Sequence, residues 1–373
     1  MLKKNSMLEK TTVNQLELKN RVVVAPMTRV STKGDGVPTD QMEQYYRRFA
    51  EGSFGLTITE GTYTDRAFSQ AYPNQPGITN EPQKKGWENI VHSTHEAGGK
   101  IILQLMHAGA LSQHLSNTRS ASSIQPLRHM LEGYSKKQGN FPLPQAMNLL
   151  EIDDVINGFT SSAMRAEEAG FDGVEIHAAN GYLLDQFLTE YTNKREDQYG
   201  GGVENRCRLC TEIITSIKSL VSSNFIVGVR VSQGKVNDFD YVWPNGTDDG
   251  KVIFASLENA GVDYIHFASE GKGFDHGCLT KDGRSLPKLA REVTGLPVIA
   301  NGGLDNLSEA GRIIEDKHAD LIALGTGALA NPDWPARLKN KQKIHSFNPD
   351  MFASGVTIED QFIWEDEVEN INL

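Results

Sequence analysis

Glu168-Ala-Gly170-Phe-Asp172-Gly-Val174-Glu175-Ile176-His177-Ala-Ala-Asn180-Gly-Tyr182 carries a helix stop, a strand and a polar strand end in one short run. Glycine after a helical stretch supplies the left-handed cap that ends it. Val174-Glu175-Ile176 reads as a short buried strand. His177, Asn180 and Tyr182 then place an imidazole, a carboxamide and a phenol just past it. The first two can donate two hydrogen bonds to one oxygen, and the phenol can deliver a proton beside them. The plainer reading is a loop in which Asn180-Gly181 makes a turn and Tyr182 packs.

The same punctuation recurs, with Glu-Ala-Gly-Gly before Lys100 and Asn-Ala-Gly-Val-Asp before Tyr264. Apolar runs predict strands at Val22–Ala25, Leu56–Thr59, Ile101–Gln104, Val174–His177, Ile226–Val231, Tyr264–Ala268, Val298–Ala300 and Leu321–Leu324. Amphipathic stretches between them include Gln41–Ala50, Pro82–Ala97, Ile152–Ala169, Glu204–Val221, Asp249–Ala260 and Ser308–Asp316. Eight βα units with short αβ turns predict an α/β fold of the (β/α)8 TIM-barrel type. A doubly wound sheet is the alternative, but no Gly-x-Gly-x-x-Gly turn follows the first strand. Residues 1–17 form a lead, residues 18–341 the barrel, and residues 342–373 a C-terminal extension. The stretch 105–150, with its Ser/Asn-rich and Pro-rich pieces, is too long for an ordinary turn and reads as a capping insertion after strand three.

Net charge is -11, which argues against binding nucleic acid or an anionic membrane through bulk electrostatics. No apolar run approaches the ~18 residues of a spanning helix, and the basic start lacks the apolar core of a secretory signal. Three cysteines suit a reducing cytoplasm better than a disulfide framework. Cys207 and Cys210 have C-x-x-C spacing but fall on an amphipathic helix, which predicts burial rather than redox work. His92 and His95 share a helix face without a third ligand, so no metal is expected. After Lys343 the chain has no Lys or Arg and accumulates acids. Phe352, Phe362, Ile363 and Trp364 there suggest some packing, with a neighbouring subunit of a homo-oligomer as one option.

Active sites of such barrels sit at the C-terminal strand ends, and polar or glycine-rich residues gather there. Pro26-Met27-Thr28 ends strand one, Glu60-Gly61-Thr62 strand two, Gln104 strand three, His177 strand four and Arg230 strand five. Asn301-Gly302-Gly303 follows strand seven, and Gly325-Thr326-Gly327 follows strand eight. Glycine loops after strands seven and eight commonly hold a phosphate through backbone N–H groups; ordinary βα turns would need the glycines only for positive φ.

A second segment, Asn193-Lys-Arg195-Glu-Asp197-Gln-Tyr199-Gly200-Gly201 followed by Glu204-Asn205-Arg206, is dense in charge and glycine. With His177 to Tyr182 it resembles the old yellow enzyme family of flavin-dependent ene-reductases, and the likeness extends from about Leu18 to Pro332. The resemblance implies FMN as cofactor, NADH or NADPH as reductant, and an α,β-unsaturated carbonyl compound, an enone or enoate, as substrate. It places Arg230 by the flavin N1 and O2, Gln104 on the pyrimidine edge and Thr28 near O4, with main-chain contacts at Met27 and Gly61 beside Pro26. Gly302, Gly303, Gly325 and Thr326 fall to the phosphate. The family's usual phosphate-clamping arginine is replaced here by Thr326. His177 and Asn180 are implied to bind the substrate carbonyl, and Tyr182 to protonate its α-carbon. His107 suits a structural role behind the cap. Two rivals stand beside this reading: a flavin-binding protein without catalysis, and a non-flavin barrel lyase or aldolase. The second needs an inward lysine, which none of the eight predicted strands contains.

Overall fold

In a computed structural model the chain is described over residues 6–269 and 271–371. Eight parallel strands form the barrel: β1 Val22–Val24, β2 Leu56–Ile58, β3 Ile101–Met106, β4 Gly173–Asn180, β5 Ile226–Lys235, β6 Tyr264–Ala268, β7 Val298–Asn301 and β8 Leu321–Leu324. Hydrogen bonding runs β2-β1-β8-β7-β6-β5-β4-β3. Pairing of Thr57 with Ile101 and Ile58 with Ile102 then joins β3 back to β2 and closes the ring. Around it lie α1 Asp40–Glu51, α2 Glu81–Glu96, α3 Leu149–Glu168, α4 Val203–Leu220, α5 Thr247–Ala260, α6 Leu286–Thr294, α7 Leu307–Glu315 and α8 Trp334–Asn340. Closure leaves no free sheet edge, so each strand can be buried on both faces.

Local chemistry sets the helix ends. Asn148 accepts from the Glu151 N–H while the Glu151 carboxylate accepts from the Asn148 N–H, a capping box that starts α3. Gly261, left-handed at φ 96°, ends α5 one turn before β6.

Side-chain alternation divides the strands. Ile101, Leu103, Val174, Ile176, Val227, Val229, Ile265 and Phe267 face outward into the large core shared with the helices. Val23, Leu56, Ile58, Ile102, Ile226, Tyr264, Ile299 and Leu321 face inward in a separate cluster. The N-terminal lead belongs to this inner cluster: Thr11–Val13 and Leu16–Leu18 pair as a hairpin, and Val13, Leu16 and Leu18 pack under the barrel floor. The turn residue Asn14 adopts φ 49° and donates to Asp263 Oδ1 at 2.8 Å.

Four strands, β3, β4, β5 and β7, run further than the sequence pattern predicts, β4 and β5 by the most. β4 continues past His177 to Asn180, and β5 past Val231 to Lys235, with a register shift between Val231 and Lys235. His177 therefore lies within a strand, and Asn180 is the strand's last residue. The apolar pattern fades there because the ladder and buried polar side chains satisfy one another. The extension of β5 also corrects the expectation that no strand carries a lysine.

The acidic C-terminal segment folds back on its own barrel. Arg29, nearly fully buried, donates to Gln361 Oε1 at 2.7 Å and to the Thr357 carbonyl at 2.8 Å. Arg48 pairs with Glu365 at 3.1 Å, fastening α9 (Ile358–Ile371) to α1.

Candidate active site

Inward alternation of β3 to β7 brings Gln104, His177, Arg230 and Asn301 to the upper end of the barrel. They line a cavity of about 390 Å³, within the usual range of small-molecule sites. Ten of the other predicted residues bear on it as follows. Pro26, Met27, Thr28, Gly61, Asn180, Tyr182, Gly325 and Thr326 also line it, whereas Gly302 and Gly303 do not. Gly302 is required by the turn itself, with φ 127° and its carbonyl accepting the Phe274 N–H at 3.0 Å. A Cβ there would fall 2.8 Å from the Phe274 nitrogen.

The segment around Asn180 is held tightly. Asn180 takes φ 63° and Gly181 φ 86°, two successive left-handed residues that turn the chain from β4 into the helix Leu183–Leu188. Asn180 N–H donates to Ser232 Oγ at 2.9 Å, and its carbonyl accepts from Val236 N–H at 3.1 Å. Gly181 N–H donates to Asp185 Oδ2 at 2.7 Å. Asp185 in turn receives Lys235 Nζ on both oxygens at 2.9 Å, a pair buried to within 2 % of full enclosure. Lys235 also donates to the Gln233 carbonyl at 3.2 Å and does not line the cavity. The amine thus serves the turn and is already taken.

His177 sits opposite Arg230 across the β4–β5 ladder. Burial, then the Arg230 and His266 charges, hold its imidazole well below the usual histidine range. A neutral ring keeps one N–H to donate. Among the described residues its Nδ1 has no hydrogen-bond partner, and neither does Arg230 Nε. The Tyr182 ring lies 5.1 Å from the His177 ring, and its hydroxyl is 2.7 Å from that of Tyr72.

The sequence reading missed much of the upper wall. Tyr72, Leu131, Tyr134, Phe239, Phe352 and Val356 come from three separate loops and the C-terminal segment. Only the aromatic composition of those segments offers a signal, since their meeting depends on the closed fold. His107 lies outside the lining; its Nδ1 accepts the Gly109 N–H at 3.0 Å and its carbonyl the Leu183 N–H at 3.0 Å. Cys207 and Cys210 are free and buried in α4. His95 bonds Asp172 at 2.9 Å while His92 faces Glu96 at 3.3 Å. Among the described residues no group of three or more His, Cys, Asp or Glu is placed to hold a metal, and no helix is long and apolar enough to cross a membrane.

The sequence model of the NADH:flavin oxidoreductase / NADH oxidase family matches residues 7–344. The chain belongs to this family. Within it, the chain is 34% identical over 347 residues to a putative 12-oxophytodienoate reductase 2 of Oryza sativa subsp. japonica, covering 91% of this chain and 88% of that protein. It is 32% identical over 356 residues to a probable flavin mononucleotide-dependent alkene reductase of Leishmania infantum, covering 93% of each. Among solved structures, morphinone reductase superposes with a TM-score of 0.83 at 29% identity, covering 94% of both chains. The old yellow enzyme homologue from Zymomonas mobilis gives a TM-score of 0.83 at 28% identity, covering 92% of this chain and 95% of that one. As a family member the chain is an FMN-dependent oxidoreductase on a TIM barrel.

Proposed function

We propose that this protein reduces the C=C bond of α,β-unsaturated carbonyl compounds at the expense of NADH or NADPH. The observation that carries the reading is the convergence of His177, Asn180, Tyr182, Gln104 and Arg230 on one cavity at the C-terminal strand ends. The cavity suits FMN. Arg230 lines it with an unpartnered Nε, and a cation there favours a ring that gains negative charge on reduction. Gln104 offers the ring's pyrimidine edge a carboxamide, Thr28 a hydroxyl, and Pro26, Met27 and Gly61 the adjoining wall. Gly325 and Thr326 are placed for the phosphate, with Gly302 and Gly303 shaping the neighbouring turn.

Bound FMN supplies the hydride chemistry. The remaining tasks fall to this chain's side chains. His177 and Asn180 donate to the substrate carbonyl oxygen, drawing electron density from the double bond and stabilising the charge that builds on the oxygen. A neutral His177 does this without a permanent charge. Tyr182 holds the proton that the α-carbon takes. Of the stretch 105–150, the part between β3 and α3 caps the cavity, since Leu131 and Tyr134 belong to its lining. The free cysteines fit a cytoplasmic setting. The lyase alternative gains nothing from Lys235, the one lysine of the eight barrel strands, because its amine is bound by Asp185.

Product analysis with NADH and a panel of enones tests the reading. The wild type is expected to yield the saturated carbonyl compound, and His177→Ala/Asn180→Ala to lose enone and phenol binding. Equal binding by that double variant would refute the assignment of the two donors.

A further inference from the structure

Beneath the cavity lies a layer of fully buried polar groups with no assigned role. Glu175 on β4, one inward step below His177, is fully enclosed. One of its oxygens, Oε2, accepts from Tyr264 Oη at 3.0 Å and from His266 Nδ1 at 2.9 Å. The other, Oε1, accepts from Gln104 Nε2 at 2.8 Å. Gly228 makes room for this arrangement, because a Cβ there would meet the Tyr264 ring at 2.0 Å. Burial alone would raise the carboxyl's pKa, but His266, Arg230 and the Gln104 amide outweigh it, and the group lies below the usual glutamate value.

An ionised carboxylate only accepts hydrogen bonds, so it decides which end of the Gln104 carboxamide points down. With the NH₂ end on Glu175, the carbonyl oxygen is turned to the other side. There Gln104 Oε1 stands 3.4 Å from where a Gly61 Cβ would be, on the cavity wall. We propose that Glu175 is a positioning residue which fixes Gln104 as a hydrogen-bond acceptor toward the cavity, so that the site selects a ring edge presenting an N–H. This rests on the reading that FMN's pyrimidine edge lies on Gln104. A wrongly turned carboxamide would set two acceptors or two donors face to face and lose the bond.

The test compares reconstitution of the full-length chain with FMN and with its 3-methyl analogue, which lacks the ring N–H. Binding is followed by quenching of flavin fluorescence. The wild type is expected to prefer FMN by about tenfold, the scale of one well-placed bond. Glu175→Gln should abolish that preference, Gln104→Ala should abolish it equally, and the double variant should lose no more than either, as residues acting in series do. Tyr264→Phe, which removes one donor to Glu175 and leaves its bond to Gln104, should keep the preference. If Glu175→Gln does not fold, Glu175→Asp draws the carboxylate back from Gln104 and should lose the preference too. A preference retained in the Glu175 variants but lost in Gln104→Ala overturns the inference. A preference retained in Gln104→Ala instead overturns the placement of the ring.

Discussion

Replacing Lys235 with methionine perturbs the buried ion pair behind the active-site turn. Asp185, with no solvent exposure, would lose both contacts from Lys235 Nζ and keep only the Gly181 N–H at 2.7 Å and the Thr189 hydroxyl at 3.1 Å. Stripping one partner from a buried pair leaves an uncompensated charge, at a cost of about 3–5 kcal/mol. Adding Asp185→Asn removes that charge and retains an oxygen for Gly181. The double variant should therefore recover at least half of the loss. Urea unfolding followed by tryptophan fluorescence measures both values, and NADH-dependent enone reduction should persist in folded Lys235→Met. A loss below about 1 kcal/mol, or a double variant no better than Lys235→Met, would refute the argument that the pair braces this turn. A folded Lys235→Met devoid of all turnover would reopen the lysine-based alternative.

Three further outcomes follow. Tyr182→Phe should leave reduction by NADH nearly unchanged and slow enone reduction by ~10²-fold or more, resolved by stopped-flow of the two half-reactions; equal slowing of both would make Tyr182 a packing residue. Thr326 is exposed at the cavity edge, so Thr326→Arg should tighten FMN binding or leave it unchanged, and loss of flavin in an equilibrium titration would contradict the phosphate placement. Glu60 is pushed up to about 7 from the ordinary 4.5, mainly by burial, against the opposing Arg29 and Val30 N–H bonds. A raised folded value means stability that is full below 4.5 and declines as pH rises through about 7. At about 1.4 kcal/mol per unit, wild type should lose about 3 kcal/mol relative to Glu60→Gln between pH 4.5 and 8, and a flat difference in denaturant midpoints would rule this out.

The eight strands were legible because strands buried on both faces read as short apolar runs, each closed by a glycine or a polar rim residue. Their ends were less so. Asn180 and Lys235 look like loop residues until the ladder between β4 and β5 supplies their backbone partners. α6, absent from the predicted helices, is marked in the sequence by Ser285 as cap, Pro287 in the first turn and left-handed Gly295 at its end. In the site, a run contiguous in sequence such as His177 to Tyr182 is readable from spacing. Tyr72 beside Tyr182, and Glu175 bonded to Gln104 and His266, join residues from different strands and loops. Closure of the barrel creates those contacts, and no local pattern encodes them.

One anaerobic absorbance experiment on the purified full-length protein decides whether its flavin carries electrons from NADH or NADPH to an enone. It should show an oxidised flavin spectrum from bound FMN, bleach on addition of NADH or NADPH, and regain its colour when an α,β-unsaturated ketone is added, with one equivalent of saturated ketone formed per flavin. A protein that takes up no FMN, or one whose bleached flavin is restored by oxygen but by no enone or enoate, would contradict the proposed function.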